Sequence, residues 1–364
     1  MPSNEASRSD GLTSFIENVL GDESLRIEER LGAGFVRLKV SEAERRQAKQ
    51  DIQYVEDAVC EMVRNSRDAH AQHVFVASTR DGARRNLIVI DDGDGVPSSI
   101  AEKVFDPRVT SKLESMHMDR WGVHGRGMAL YSIRQNALES RIVCSEKGKG
   151  CVISVAFDTT AVPERADQST WPITSVDENG LLICERGPHN IIRTCCEFAI
   201  EERFSCEVYI GSPAEIAATA RAKAAKTVEA SDLMFLDDIS ELPVLERLRV
   251  AADAGELQRV SASLGLDMSE RTAHRIVAGQ VKPQRSVVAR LTHRAGPKVP
   301  HEVDLTRDHR GLKISKEDCA DFSRAMERGF SELAQKYYLS LNEAPKVRVG
   351  KGKITVTFEL EQGD

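Results

Sequence analysis

"VCEMVRNSRDAHAQHVFVAS", residues 59 to 78, reads as an amphipathic helix running into a strand. Glu61, Asn65 and Asp68 recur every three to four residues, so a helix brings them to one face. That face lies beside an apolar stripe of Ile52, Val55, Val59 and Met62. "HVFVAS" then has the β-branched and aromatic content of a strand. A helix of this design has one face for a core and a second, set with two acids and an amide, that asks for a polar partner.

Downstream, the apolar run "NLIVI" (86–90) ends in "DDGDG" (91–95). A carboxylate at a strand end, Asp91, can accept a hydrogen bond from an exocyclic amine such as that of adenine. Gly93 and Gly95 let the backbone turn sharply and approach a flat ligand closely. Alone, an acidic turn of this kind is more often just a loop. In "WGVHGRGMALYSI" (121–133), Gly122, Gly125 and Gly127 precede an apolar-periodic helix. A glycine loop opening a helix N-terminus presents backbone N–H groups and a favourable dipole to phosphate. The loop lacks the βαβ spacing of a dinucleotide fold, and no G-x-x-x-x-G-K-[ST] occurs, so neither a Rossmann site nor a P-loop is supported.

Taken in order, these segments resemble the GHKL nucleotide-binding family of gyrase-type topoisomerases, heat-shock chaperones, histidine kinases and mismatch-repair ATPases. "EMVRNSRDA" is similar to its N-box, "DDGDG" to its adenine-binding motif and "HGRGMALYSI" to its phosphate-side glycine motif. "VFDPRVTSK" and "SEKGKGCVISVAF" resemble segments between and after those motifs, so the likeness covers residues 25 to 158. It implies an α/β sandwich, with helices over a mixed antiparallel sheet, that binds ATP with Mg²⁺. Asn65 would coordinate the Mg²⁺ and Asp91 would hold the adenine amino group. Gly93 and Gly95 would close over the base, and Gly122, Gly125 and Gly127 would wrap the phosphates. Lys112, His124 and Arg126 are candidates for phosphate charge. Asp68 has two readings, a hydrogen-bond partner of Asn65 or of a water, and a solvated helix-end acid.

Glu61 separates mechanisms. In the ATP-hydrolysing branches this position carries a Glu that acts as general base on the attacking water, whereas histidine kinases carry an amide or another residue. Glu61 therefore implies hydrolysis, or phosphorylation of a serine. Residues 1 to 69 contain no histidine, so no phosphoacceptor histidine precedes the motif within this sequence.

The 364 residues are 29% charged and 41% hydrophobic with a formal charge of −7, the balance of an ordinary soluble protein, and global charge gives no hint of nucleic acid. No apolar run approaches the roughly 20 residues of a membrane span, and the start lacks the plan of a signal peptide. A cytoplasmic protein is expected. The eight cysteines never form C-x-x-C and sit among apolar neighbours, which favours buried reduced thiols over zinc or disulfides.

Residues 1–10 are expected to be disordered and 11–160 to form the nucleotide-binding domain, with a boundary in the polar stretch that follows. Residues 161–240 read as a small α/β segment with a linker helix, and 301–364 as a helix around 314 to 342 plus a β-hairpin. Between them, 241–300 carries "ELQRVSASLGLDMSERTAHRIVAGQVKPQRSVVARL" (256–291), with the rhythm of helix, turn, helix. Gly265 can end the first helix and Ser269 can cap the second, which carries Arg271, Thr272, His274 and Arg275. It resembles the helix-turn-helix of repressor-like domains, whose second helix enters the major groove of double-stranded DNA. From 243 to 300 there are ten Lys and Arg against five acids, a usable electrostatic footprint. A basic helical hairpin that serves as a protein-contact module is the competing reading.

The expected function is a Mg-dependent, slowly hydrolysing ATPase. It would act as a nucleotide-dependent switch on DNA in regulation, repair or defence, through lid order or an ATP-dependent homodimer. The alternatives are a serine kinase acting in trans, of the type that restrains sigma factors, and a chaperone-like clamp on protein partners.

Overall fold

A computed structural model of the chain describes residues 27–111, 117–119, 122–124, 127–165, 167–178, 181–225, 238–295, 314, 316–350 and 353–361. The chain divides into two compact units, residues 1–296 and 297–364.

The larger unit begins with a hairpin of β1 (Ile27–Gly32) and β2 (Phe35–Leu38), turned through Gly32, Ala33 and Gly34 at positive φ. Helix α1 (Glu42–Asp51) opens on a capping box in which Ser41 and Glu44 satisfy each other's backbone N–H groups. The helical stretch from 42 to 68 is broken at Ile52, because Asp57 reaches back to accept from the backbone N–H groups of Gln53 and Tyr54 at 3.1 and 2.9 Å. That caps a fresh start, and α2 runs Val55–Asp68. Val55, Ala58, Val59, Met62 and Val63 are all fully buried along one face of it.

Strands β3 (His73–Asp81) and β4 (Arg84–Asp91) pair antiparallel, with Val74 opposite Asp91. The short β5 (Val109–Thr110) joins β2, and β6 (His117–Asp119) pairs with β7 (Gly122–His124). Then come α3 (Ala129–Asn136), β8 (Glu139–Ser145) and β9 (Cys151–Asp158), the last two joined as an antiparallel hairpin through the glycine-rich "EKGKG" (146–150). A small ribbon of β10 (Ile173–Val176) and β11 (Leu182–Arg186) leads to α4 (Ile191–Glu201), β12 (Glu207–Gly211) and α5 (Pro213–Lys223). The unit ends with α6 (Val244–Val250), α7 (Ala254–Ser263), α8 (Glu270–Val277) and α9 (Val287–Ala295).

The main sheet has the order β12-β3-β4-β9-β8, antiparallel except for the parallel pair of β12 and β3. On one face Leu87, Val89, Val74, Ile153 and Phe157 pack with residues of α2, α4 and α9, which makes the α/β sandwich. On the other, Ile88, Ile90, Phe75 and Tyr209 pack with residues of α5, α6, α7 and α8. A strand covered on both sides has no polar face, which is why "LIVI" in β4 is continuous rather than alternating. Full burial of side chains of this size contributes about 1.5–3 kcal/mol each.

The boundary expected near residue 160 does not divide the fold. β12, from the segment read as a separate small α/β piece, supplies the fifth strand of the main sheet, and the compact unit continues to 296. Five of the eight cysteines are buried, with Cys195 and Cys196 in the first core. The tail 1–10 lies outside the described residues.

The smaller unit holds α10 (Lys316–Tyr337) and the hairpin of β13 (Lys346–Gly350) and β14 (Lys353–Thr357), with Phe330 stacked on Phe358 at 5.0 Å between ring centroids. The helix stops short of the expected 342 because Tyr338 takes a left-handed φ of 54°. Among the described residues no helix is long and apolar enough to cross a membrane.

Candidate active site

The helix α2 and the end of β4 form two walls of a cavity of about 1200 Å³. Glu61, Asn65 and Asp68 line it from α2, Asp91 from β4, Gly95 from the turn beyond and Gly127 from the approach to α3. One helical face and one strand end, read separately in the sequence, thus share one space.

Asp91 is buried, at 3% exposure. Ser66 Oγ donates to its Oδ2 at 2.9 Å and the Gly93 backbone N–H to its Oδ1 at 3.0 Å. Burial pushes its pKa up to about 6, against the pull of those two hydrogen bonds, and the neighbouring Asp92 adds to the rise. Asp92 moves the other way. Its burial is outweighed by hydrogen bonds from the His73 ring, the His73 N–H and the Gln72 N–H, and its pKa falls below the ordinary value. The first acid of "DDGDG" faces the cavity and the second ties the turn to the start of β3.

The two glycines of that turn are needed by the protein's own packing. A Cβ on Gly93 would lie 2.4 Å from the Ala69 carbonyl oxygen at the end of α2. One on Gly95, at φ +67°, would lie 2.1 Å from the Glu146 carbonyl oxygen. The backbone here runs against both the helix end and the β8–β9 turn, and no side chain fits between.

On α2, Arg64 Nη1 donates to Glu61 Oε1 at 2.7 Å. Asp68 is no solvated acid. Its side chain is 7% exposed and accepts from Arg67 Nε at 2.9 Å, while Arg67 Nη1 reaches Glu202 at 2.9 Å. Among the described residues, Asn65 Nδ2 is buried with no hydrogen-bond partner. An amide placed at a cavity wall with an idle donor fits a ligand that brings acceptor oxygens, and its own oxygen suits a hard cation. Among the described residues no cluster of three or more His, Cys, Asp or Glu is arranged to hold a metal. A divalent cation here would be held by Asn65 together with the ligand's own oxygens, the arrangement Mg²⁺ favours.

Of the remaining expected residues, Gly122 and His124 lie in β7. Lys112, Gly125 and Arg126 lie outside the described residues. Sequence reasoning missed Ser66 and Arg64, which stand between the motif residues of α2, and Glu44, Gln47 and Asp51 of α1, which also line the cavity. The capping box at Ser41 is the signal that could have placed α1. Its Glu44 also pairs with the buried Arg108, beside the strand that leads to the glycine loop.

In the second core, α7 and α8 meet through a turn in which Leu264 and Leu266 are fully buried and Gly265 packs beneath Ile88 and Val143 of the main sheet. Ser269 caps α8 through the Thr272 N–H at 3.2 Å. Ala273 and Ile276 face inward, Arg271, His274 and Arg275 are exposed, and Thr272 is half-buried. The basic count overstates the footprint. Arg247 is buried and donates to the carbonyls of Leu242 and Ser240, Arg249 pairs with Glu246, and Arg290 lies over the Trp171 ring. Arg259, Arg271, Arg275, Lys282 and Arg285 remain on the surface.

Residues 52–181 match the family described as histidine kinase-, DNA gyrase B- and HSP90-like ATPase. Among curated proteins, the chain is 34% identical over 147 residues to the DNA mismatch repair protein MutL of Thermus thermophilus, covering 39% of this chain and 26% of that one. It is 40% identical over 84 residues to MutL of Thermus aquaticus (23% and 15%), and 32% identical over 101 residues to MutL of Clostridium perfringens (26% and 15%). The chain thus spans about a quarter or less of these relatives. The solved structure of full-length ShkA in complex with AMPPNP overlaps 77% of this chain and 64% of its own at 13% identity, with a TM-score of 0.21, too low to carry an argument.

Proposed function

We propose, for a chain whose residues 52–181 belong to the histidine kinase-, DNA gyrase B- and HSP90-like ATPases, that this cavity binds ATP with Mg²⁺ and hydrolyses it. The observation that carries the reading is the convergence of Glu61, Asn65 and Asp91 on one cavity, with Ser66 tying the helix to the strand. Asp91 accepts from the exocyclic amine of adenine, with one oxygen already held by Ser66 and the other by the Gly93 N–H. Asn65 faces the phosphates and the cation, which when bound neutralises phosphate charge. Glu61 accepts the proton of the attacking water. The described wall is rich in acids, with Glu44, Asp51, Asp57, Asp68 and Asp94 beside Glu61 and Asp91. A nucleotide that arrives with its own cation suits such a wall better than a bare polyphosphate does.

Purified protein should release phosphate from ATP in the presence of Mg²⁺, and Glu61→Ala should abolish turnover while keeping nucleotide binding. Equal turnover by wild type and Glu61→Ala would sink the hydrolytic reading. Phosphate label transferred to a partner protein, with none released, would replace it by the kinase reading.

We further propose that the nucleotide acts as a switch on double-stranded DNA. The exposed Arg271, His274 and Arg275 on α8 support this, as does the likeness to MutL, a DNA mismatch repair protein. The inward side of that helix, Ala273 and Ile276, shares a core with Ile88 and Ile90 of β4, the strand that ends at Asp91.

A further inference from the structure

We propose that Arg64 is a positioning residue for Glu61, an assignment that rests on the ATPase reading above. The two stand three residues apart on α2 and both line the cavity. Arg64 Nη1 donates to Glu61 Oε1 at 2.7 Å, with the arginine side chain 4% exposed and the glutamate 23%. This is a charge-assisted hydrogen bond made largely away from water, where such bonds are short and strong.

A glutamate carboxylate sits on three rotatable bonds, whereas a base must stay within about 2.6–3.2 Å of the water it deprotonates. Anchoring Oε1 on a buried guanidinium removes most of that freedom. Arginine suits the task because it keeps its proton when buried and presents its donors in a rigid fork. The same design recurs along the helix. Arg67 holds Asp68, and Ser66 holds Asp91 where α2 meets the end of β4. Residues 64, 66 and 67, interleaved between the polar residues of the motif, each fix one acid of the site.

The test compares wild type, Arg64→Gln, Arg64→Lys and Glu61→Gln by steady-state ATP turnover, with calorimetric titration of Mg·ATP and Mg·ADP. Arg64→Gln is expected to lower kcat on the order of 10²-fold, the effect of misplacing a catalytic group by about an ångström. Its affinities for both nucleotides should stay within about threefold of wild type, since a group acting only on the base leaves ground-state binding alone. Arg64→Lys should recover part of kcat, because an ammonium holds one carboxylate oxygen as a point charge. Should Arg64→Gln fail to melt cooperatively, Arg64→Lys carries the test, with kcat between the two extremes and binding intact. An unchanged kcat in both variants overturns the proposal. So does a loss of Mg·ATP affinity with Mg·ADP affinity retained, which would make Arg64 a direct partner of the terminal phosphate. If Glu61→Gln itself turns over at the wild-type rate, the ATPase reading fails and not the pairing alone.

Discussion

The Ser66 hydroxyl donates to Asp91 Oδ2 at 2.9 Å, joining the helix that bears Glu61 and Asn65 to the end of β4, the central strand of the main sheet. Removing it leaves a buried carboxylate with one donor fewer. Ser66→Ala is expected to destabilise the fold by about 1–3 kcal/mol and to raise the Asp91 pKa above its present value of about 6. Urea denaturation at pH 7.5 reads the first effect. The second appears as a shift to higher pH in the acid limb of ATP affinity, and an unmoved limb would show that Asp91 does not face the base.

Asp91 carries a cost in stability that the proposed contact with adenine explains. Its pKa stands at about 6 in the folded chain against 3.8 as an ordinary value, so between those pH values the folded state binds more protons than the unfolded one. Its contribution is therefore most favourable below about 3.8 and is lost as pH rises through 6, a difference on the order of 3 kcal/mol. Asp91→Asn removes the charge. The variant is expected to melt at or above the wild-type temperature at pH 7.5 while binding ATP at least about tenfold more weakly. A variant that binds ATP as wild type does would remove Asp91 from the site.

Gly95 tests the turn. Its φ of +67° and the Glu146 carbonyl oxygen, 2.1 Å from where a Cβ would stand, leave no room for alanine. Gly95→Ala is expected to lose roughly 2 kcal/mol or more, read from the urea midpoint. Gly82, also at positive φ but with open space around it, is the control that should lose less.

The part of the chain that builds the candidate site was legible because its signals are local. A 3.6-residue period marks α2, an apolar run marks β4, and Asp91 stands where strand gives way to glycine. The break at Ile52 was not legible, since it depends on Asp57 capping two N–H groups behind it rather than on any Gly or Pro. Nor was the reach of the sheet. β12 pairs with β3 across more than a hundred residues, and nothing in "EVYIG" states its partner. The roles of Arg64 and Ser66 were hidden for a related reason. Both look like ordinary helix-surface residues until α2 is set against β4 and the cavity between them appears. Charge counting failed at Arg247, where burial behind backbone carbonyls removes a cation that the sequence counts as footprint.

The exposed arginines of α8 give the DNA proposal its sharpest form. Arg271 and Arg275 lie one turn apart on the same face, with Ala273 and Ile276 turned into the core, so both can be removed without opening a cavity. The Arg271→Ala, Arg275→Ala double variant should melt cooperatively near the wild-type temperature. If both side chains contact phosphate, affinity for duplex DNA falls at every salt concentration, and the slope of log affinity against log salt becomes shallower by about 2. If they read bases instead, the loss concentrates on one sequence, at about 1–3 kcal/mol per contact, with non-specific binding less affected. Binding curves on random and selected duplexes at several salt concentrations separate these two outcomes. Identical curves for variant and wild type would take DNA away from this face and leave it to a protein partner.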